Sequence, residues 1–136
     1  MPISADQARE IAGGFLEMSH ALGSYRFCNW SRLTKSQRQG LENAEWDMLN
    51  YSSSFVTAAA GIALADIERD LSEIATTTAE AKKAVATIKE VKNVMKVAAA
   101  LIQLGGAIAS RNPAAISRAA ANAAKTAKKA TDRRTP

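Results

Sequence analysis

The 136-residue chain contains one cysteine and one histidine. With Cys28 alone there is no intramolecular disulfide framework, and Cys28 with His20 cannot close a zinc site that takes three or four protein ligands. A Cys/His nucleophilic dyad needs a geometry that their spacing does not enforce. The sequence also lacks GxGxxG, GxxxxGK[ST] and HExxH, and Gly13-Gly14 and Gly105-Gly106 lack the strand-to-helix setting of a phosphate loop. Glu42 and Glu45 read as solvated helix positions rather than a catalytic pair. No enzymatic activity, metal or cofactor is expected.

Large apolar side chains are scarce too. Hydrophobic residues make up 47% of the chain, but 29 of them are alanine, while Leu, Ile, Val and Phe together number 26. Alanine favours helix strongly and buries little area, so helices should form readily and be held by thin, close-packed seams. A large enclosed pocket is not expected. The length suits a single folding unit.

The N-terminus has acidic residues early and no apolar core of signal-peptide length, so the expected location is cytoplasmic. A signal-independent export route leaves no trace in such a sequence.

What is present is helical periodicity. Ser4 with Gln7 reads as a capping box ahead of Ile11, Phe15, Met18 and Leu22, which predicts a helix over about 5–22. Thr34 with Gln37 opens a second, over about 35–50, and the run Asn50-Tyr51-Ser52-Ser53-Ser54 is expected to fray or kink it. Between them, Tyr25, Phe27 and Trp30 fall in a connection that also carries Arg26 and Arg32. Such a cluster could stack nucleobases or sit at a lipid interface, but is read here as plugging the end of a small bundle.

Over 55–104 the pattern is heptad-like: Ile67, Ile74, Ile88, Met95 and Ile102 occupy one position and Leu71 and Val85 its companion. The register passes through Thr76-Thr77-Thr78 unbroken, which favours one long helix, whereas Thr77 with Glu80 resembles a capping box and favours a new start. Acidic residues before position 78 and lysines after it would pair if the segment folded on itself, bringing Glu73 towards Lys83 and Asp70 towards 85–89. A hairpin turning at the threonines and an antiparallel dimer of straight helices both satisfy that pairing. The fold class is therefore all-α: a small elongated bundle built on a long alanine-rich amphipathic helix or an antiparallel, coiled-coil-like hairpin.

Gly105-Gly106 reads as a stop, and Asn112-Pro113 as the start of a last helix over about 113–129 that buries Ile116, Ala120, Ala123 and Ala127. The chain divides into a helical domain, 1–112, and a basic segment, 113–136, whose end, 130–136, is expected to be disordered. Residues 1–117 hold twelve basic and twelve acidic residues, so the whole excess of +5 arises from 118–136.

The function these features support is helix-mediated interaction, with itself as an antiparallel dimer or with another helical protein, through a seam of Ile67, Leu71, Ile74, Val85, Ile88, Met95 and Ile102. An alternative is a membrane-active, pore-forming or membrane-perturbing helical protein using the uncharged stretches 48–65 and 97–110, although neither is a constitutive transmembrane helix. An anionic membrane surface or, as a weaker reading, nucleic acid would meet Arg118, Lys125, Lys128, Lys129, Arg133 and Arg134.

Overall fold

In the computed structural model the chain is an all-α bundle, described over residues 3–57, 62 and 64–131, with the side chain of Thr131 excepted. Five α-helices lie among these residues: α1 (Ala5–Cys28), α2 (Lys35–Thr57), α3 (Ile67–Thr87), α4 (Val91–Ala109) and α5 (Pro113–Thr131). One 3₁₀ turn, Trp30–Arg32, joins α1 to α2.

Both capping boxes form. The Gln7 amide hydrogen donates to the Ser4 hydroxyl while the Ser4 amide donates to the Gln7 side chain, and Thr34 and Gln37 repeat the exchange at α2. At α3, Asp66 caps the Arg69 amide, and the buried carboxylate of Asp70 accepts from the Asp66 amide at 3.2 Å. Asn112 accepts from the Ala115 amide at the start of α5. Each arrangement satisfies a donor that a helix start leaves open.

Pairwise contacts fix the directions. α1 and α2 run antiparallel, with the Ser19 hydroxyl donating to the Glu45 carbonyl and that of Ser52 to the Ala12 carbonyl. α3 runs with α1: Gly14 packs on Thr78, Lys82 meets Glu17 at 3.6 Å, and the Tyr25 hydroxyl donates to the Lys89 carbonyl at 2.9 Å. α4 runs with α2, through Gly40 on Met95 and Gly105 on Tyr51. α5 runs with α3, the Thr77 hydroxyl reaching the Ala120 carbonyl at 3.4 Å. The helices thus alternate up and down, with α1, α2, α4 and α3 in a ring and α5 in the groove between α3 and α4.

The core has a large-residue half and an alanine half. Phe15, Phe55 and the half-buried Tyr51 form an aromatic cluster, with Phe15 edge-on to both partners, beside Met18, Leu22, Leu41 and Met48. On the other side Ala81, Ala84, Ala98, Ala120, Ala123 and Ala127 are buried around Ile74, Leu101, Leu104 and Ile116, so α5 approaches α3 and α4 closely.

Several expected boundaries are corrected. α1 does not stop at Leu22 but runs through Gly23 to Cys28, and α2 passes Asn50 and the serines without interruption to Thr57. The helix over 55–104 is instead three pieces: the end of α2, then α3 and α4. The chain runs straight through Thr76-Thr77-Thr78 and breaks ten residues later, where Ile88 is extended (φ −72°, ψ 133°). With α3 continuous, the pairing of Glu73 with Lys83 is not made; Lys82 meets Glu17 and Asp70 meets Arg69 instead. Gly105-Gly106 lies inside α4, and the stop comes at Ser110-Arg111, with Arg111 in the left-handed region at φ 62°. α5 continues through Ala130, and the rest of the tail expected to be disordered, 132–136, lies outside the described residues.

Candidate functional site

The proposed seam is mostly interior. Ile74, Val85 and Ile88 are buried in the core of the monomer, while Ile67, Leu71, Met95 and Ile102 are half-buried against it. These seven residues hold α3 and α4 in their own bundle and form no continuous exposed stripe. The uncharged stretches 48–65 and 97–110 meet through the contact of Tyr51 on α2 with Gly105 on the parallel α4. Val91–Ala109, mean hydropathy 1.3, is the described helix long and apolar enough to cross a membrane, yet Val94, Val97, Leu101, Leu104 and Ile108 face the core.

Exposed apolar side chains gather elsewhere, along the outer side of the α1/α2 pair. Leu16, Phe27, Trp46 and Val56 are exposed there, 38%, 68%, 58% and 49% respectively. The register that sets Ser19 beside Glu45 and Ala12 beside Ser52 places Leu16 level with the half-buried Leu49. Between the two helices lies an open groove of about 590 Å³, lined in part by Gly23, Ser24, Phe27 and Leu49. Leu16 and Phe27 lie eleven residues apart on α1, and Trp46 and Val56 fall three before and seven after Leu49 on α2, so each set occupies one side of its helix and the pair offers a face on which another helix could dock.

His20 and Cys28 both line this groove, and both are exposed. Two turns of α1 separate them by roughly 12 Å along its axis, beyond the reach of a hydrogen bond. Among the described residues no cluster of three or more His, Cys, Asp or Glu could hold a metal ion.

Glu45 is not a solvated helix position. Its carboxylate takes Arg26 Nε at 2.5 Å and Nη2 at 3.2 Å, with both side chains largely buried. This two-point bond raises the Arg26 pKa and keeps the guanidinium charged. It also holds that guanidinium 4.6 Å from the centre of the Phe27 ring.

The aromatic connection divides into two parts. Tyr25 is buried and bonded to Lys89, as a bundle plug would be, and burial pushes its phenol pKa up against the opposing charge of Arg32. Phe27 and Trp30 instead stack on each other at the surface, 6.1 Å between centres, with Arg38 4.6 Å over the Trp30 ring. Arg118, Lys125, Lys128 and Lys129 are exposed on α5; Arg133 and Arg134 lie outside the described residues.

The topology converts this into a polar molecule. With each helix divided at its midpoint, the half holding the α1–α2 and α3–α4 connections carries twelve Lys and Arg against five Asp and Glu, and the opposite half four against seven, over the described residues. Sequence reasoning assigned the excess charge to the tail, because linear counts cannot show that Arg32, Lys92 and Lys125 fall at one end of an alternating bundle.

No protein-family model matches the chain, and no curated protein or solved structure matches it.

Proposed function

We propose that the protein is a non-enzymatic helical interaction protein that self-associates in antiparallel fashion through the outer α1/α2 face. The observation that carries this reading is the exposure of Leu16, Phe27, Trp46 and Val56 along α1 and α2, together with the open groove that Phe27 and Leu49 line between these helices. Charge selects the partner and its direction. Two copies face to face about a two-fold axis across this groove bring the basic half of one beside the acidic half of the other, whereas a parallel pair sets like against like. The interaction surface therefore differs from the α3/α4 seam, whose central residues are used inside the monomer.

Light scattering on the purified chain tests this. The proposal expects a dimer that Trp46→Ser with Val56→Ser converts to a folded monomer, its helical circular dichroism unchanged. A monomer at all concentrations, or a dimer indifferent to both changes, overturns it.

A second reading, membrane insertion, draws support only from the composition of α4. It requires the bundle to open, because the apolar face of α4 packs on α2, α3 and α5. Dye release from anionic vesicles at neutral and acidic pH would be its signature.

A further inference from the structure

The basic half ends in a surface that meets the α1/α2 groove only at Phe27 and Cys28. At this end the 3₁₀ turn abuts the α3–α4 break: Arg32 Nη2 donates to the Lys89 carbonyl at 3.2 Å, and Gly40 packs on Met95. α5 reaches the same level, because the Thr77–Ala120 contact and the shared helical rise set Lys83 near residue 126 and Thr87 near residue 130. Three stretches remote in sequence thereby share one end: 25–40, 82–96 and 123–131. Within them the described basic residues number twelve, and the one acidic residue is Glu90.

Few of these charges are neutralised inside the molecule. Arg26 is held by Glu45, while the ion pairs of Lys82 with Glu17 and Lys92 with Glu90, at 3.6 and 3.8 Å, are exposed. Arg38 lies over Trp30 with its Nε buried and lacking a hydrogen-bond partner. Lys83, Lys89, Lys96, Lys125 and Lys129 are all exposed.

We propose that this end docks on an anionic lipid bilayer, its lysines at the phosphate layer and the stacked Phe27 and Trp30 entering the interface. Three observations favour a bilayer over nucleic acid. The surface is the blunt end of a bundle, which meets a plane better than it fills a groove. Its charge is mainly lysine, a point charge suited to headgroups without the fork geometry that reads bases. The two exposed rings already carry guanidinium groups over them, Arg26 on Phe27 and Arg38 on Trp30, so a stacking base would have to displace a cation. Tryptophan and phenylalanine beside basic residues form an amphipathic interface anchor. Docking is end-on and shares only Phe27 with the lateral α1/α2 face, so it does not rest on self-association.

The test is sedimentation of the full chain with vesicles of phosphatidylcholine, alone or with phosphatidylglycerol, across a salt series. Trp46→Phe leaves Trp30 as the reporter. Binding to the phosphatidylglycerol vesicles should fall steeply with salt, and Trp30 emission should shift to the blue. At about fivefold in affinity per basic residue near the surface, Lys92→Gln with Lys96→Gln should weaken binding by roughly tenfold or more, and Arg118→Gln in the acidic half by roughly twofold or less. Binding indifferent to phosphatidylglycerol, unmoved Trp30 emission, or equal loss from Arg118→Gln overturns the proposal. So does tight binding of duplex DNA without vesicle binding, which assigns the surface to nucleic acid.

Discussion

Gly105 lies against the ring of Tyr51 so closely that a β-carbon placed on it would fall 2.5 Å from Tyr51 Cδ2. The ring cannot simply swing away, because it is stacked on Phe55 at 5.8 Å and meets Phe15 at 6.0 Å. The neighbouring Gly106 differs: its nearest contact would be the Tyr51 hydroxyl at 3.6 Å, ordinary van der Waals distance.

The two glycines should therefore respond with opposite sign. Gly105→Ala gains up to about 1 kcal/mol of helix propensity but overpacks the core, which costs about 1–3 kcal/mol, so the net effect is destabilising. Gly106→Ala keeps the gain without the clash and should stabilise by about 0.5–1 kcal/mol. Urea midpoints of the two variants, with unchanged slopes, check both signs.

The threonine run is a second close approach. A β-carbon on Gly14 would fall 2.6 Å from Thr78 Oγ1, and that hydroxyl is tied to the Ala75 carbonyl at 3.1 Å. Gly14→Ala should destabilise wild type by about 1–3 kcal/mol and cost much less when Thr78→Ala is also present. A double-mutant cycle read from urea denaturation measures the coupling; additive effects would show that the contact does not limit the packing of α1 on α3.

These two contacts show what could be read from the sequence and what could not. Three of the five described helix starts are legible, since Ser4, Thr34 and Asn112 carry their capping chemistry within three residues, whereas the start of α3 behind Asp66 is hidden by the unbroken heptad spacing. Helix ends are not legible from glycine here, because Gly23 and Gly105 are sites where a neighbouring helix comes close and not stops. The break at Ile88–Glu90 has no glycine or proline, and the Glu90 side chain caps nothing. It is stabilised from a distance: the Lys89 carbonyl, released from helix bonding, is taken by Tyr25 and Arg32. The residues at heptad spacing are divided between α3 and α4, where they are buried or half-buried within the monomer's own core. The exposed stripe on α1/α2 was detectable in principle from Leu16, Trp46 and Val56, though only a known inner face identifies the outer one.

Ile74→Asp distinguishes a core position from a surface seam. The side chain is 1% exposed, so an aspartate there buries a charge with no partner, and the variant should lose about 3 kcal/mol or more and its cooperative thermal transition. Trp46→Ser should leave the melting temperature within a few degrees while altering the solution mass. The reverse pattern would return the interaction surface to α3/α4.

Arg111 sits in the left-handed region at φ 62°, where glycine carries no steric penalty. Arg111→Gly should raise stability by about 1 kcal/mol, seen as a higher urea midpoint, because the turn between α4 and α5 needs that conformation and no ion pair of Arg111 is formed among the described residues.

Tyr25 makes stability fall at alkaline pH. Burial raises the folded-state pKa of its phenol above the unfolded value of 10.0, and its hydroxyl proton serves the bond to the Lys89 carbonyl. The unfolded chain releases this proton first as pH rises. The contribution is therefore fully present below pH 10.0 and is lost progressively as pH rises through the folded pKa. Tyr25→Phe should cost about 1 kcal/mol at neutral pH through the lost hydrogen bond. It should also flatten the alkaline decline, since the variant has no phenol at this position to titrate. Chemical denaturation from neutral pH to above pH 10.0 compares the slopes. Parallel curves for wild type and Tyr25→Phe would show that another group governs the decline, and that the link from the α3–α4 break to α1 does not depend on this proton.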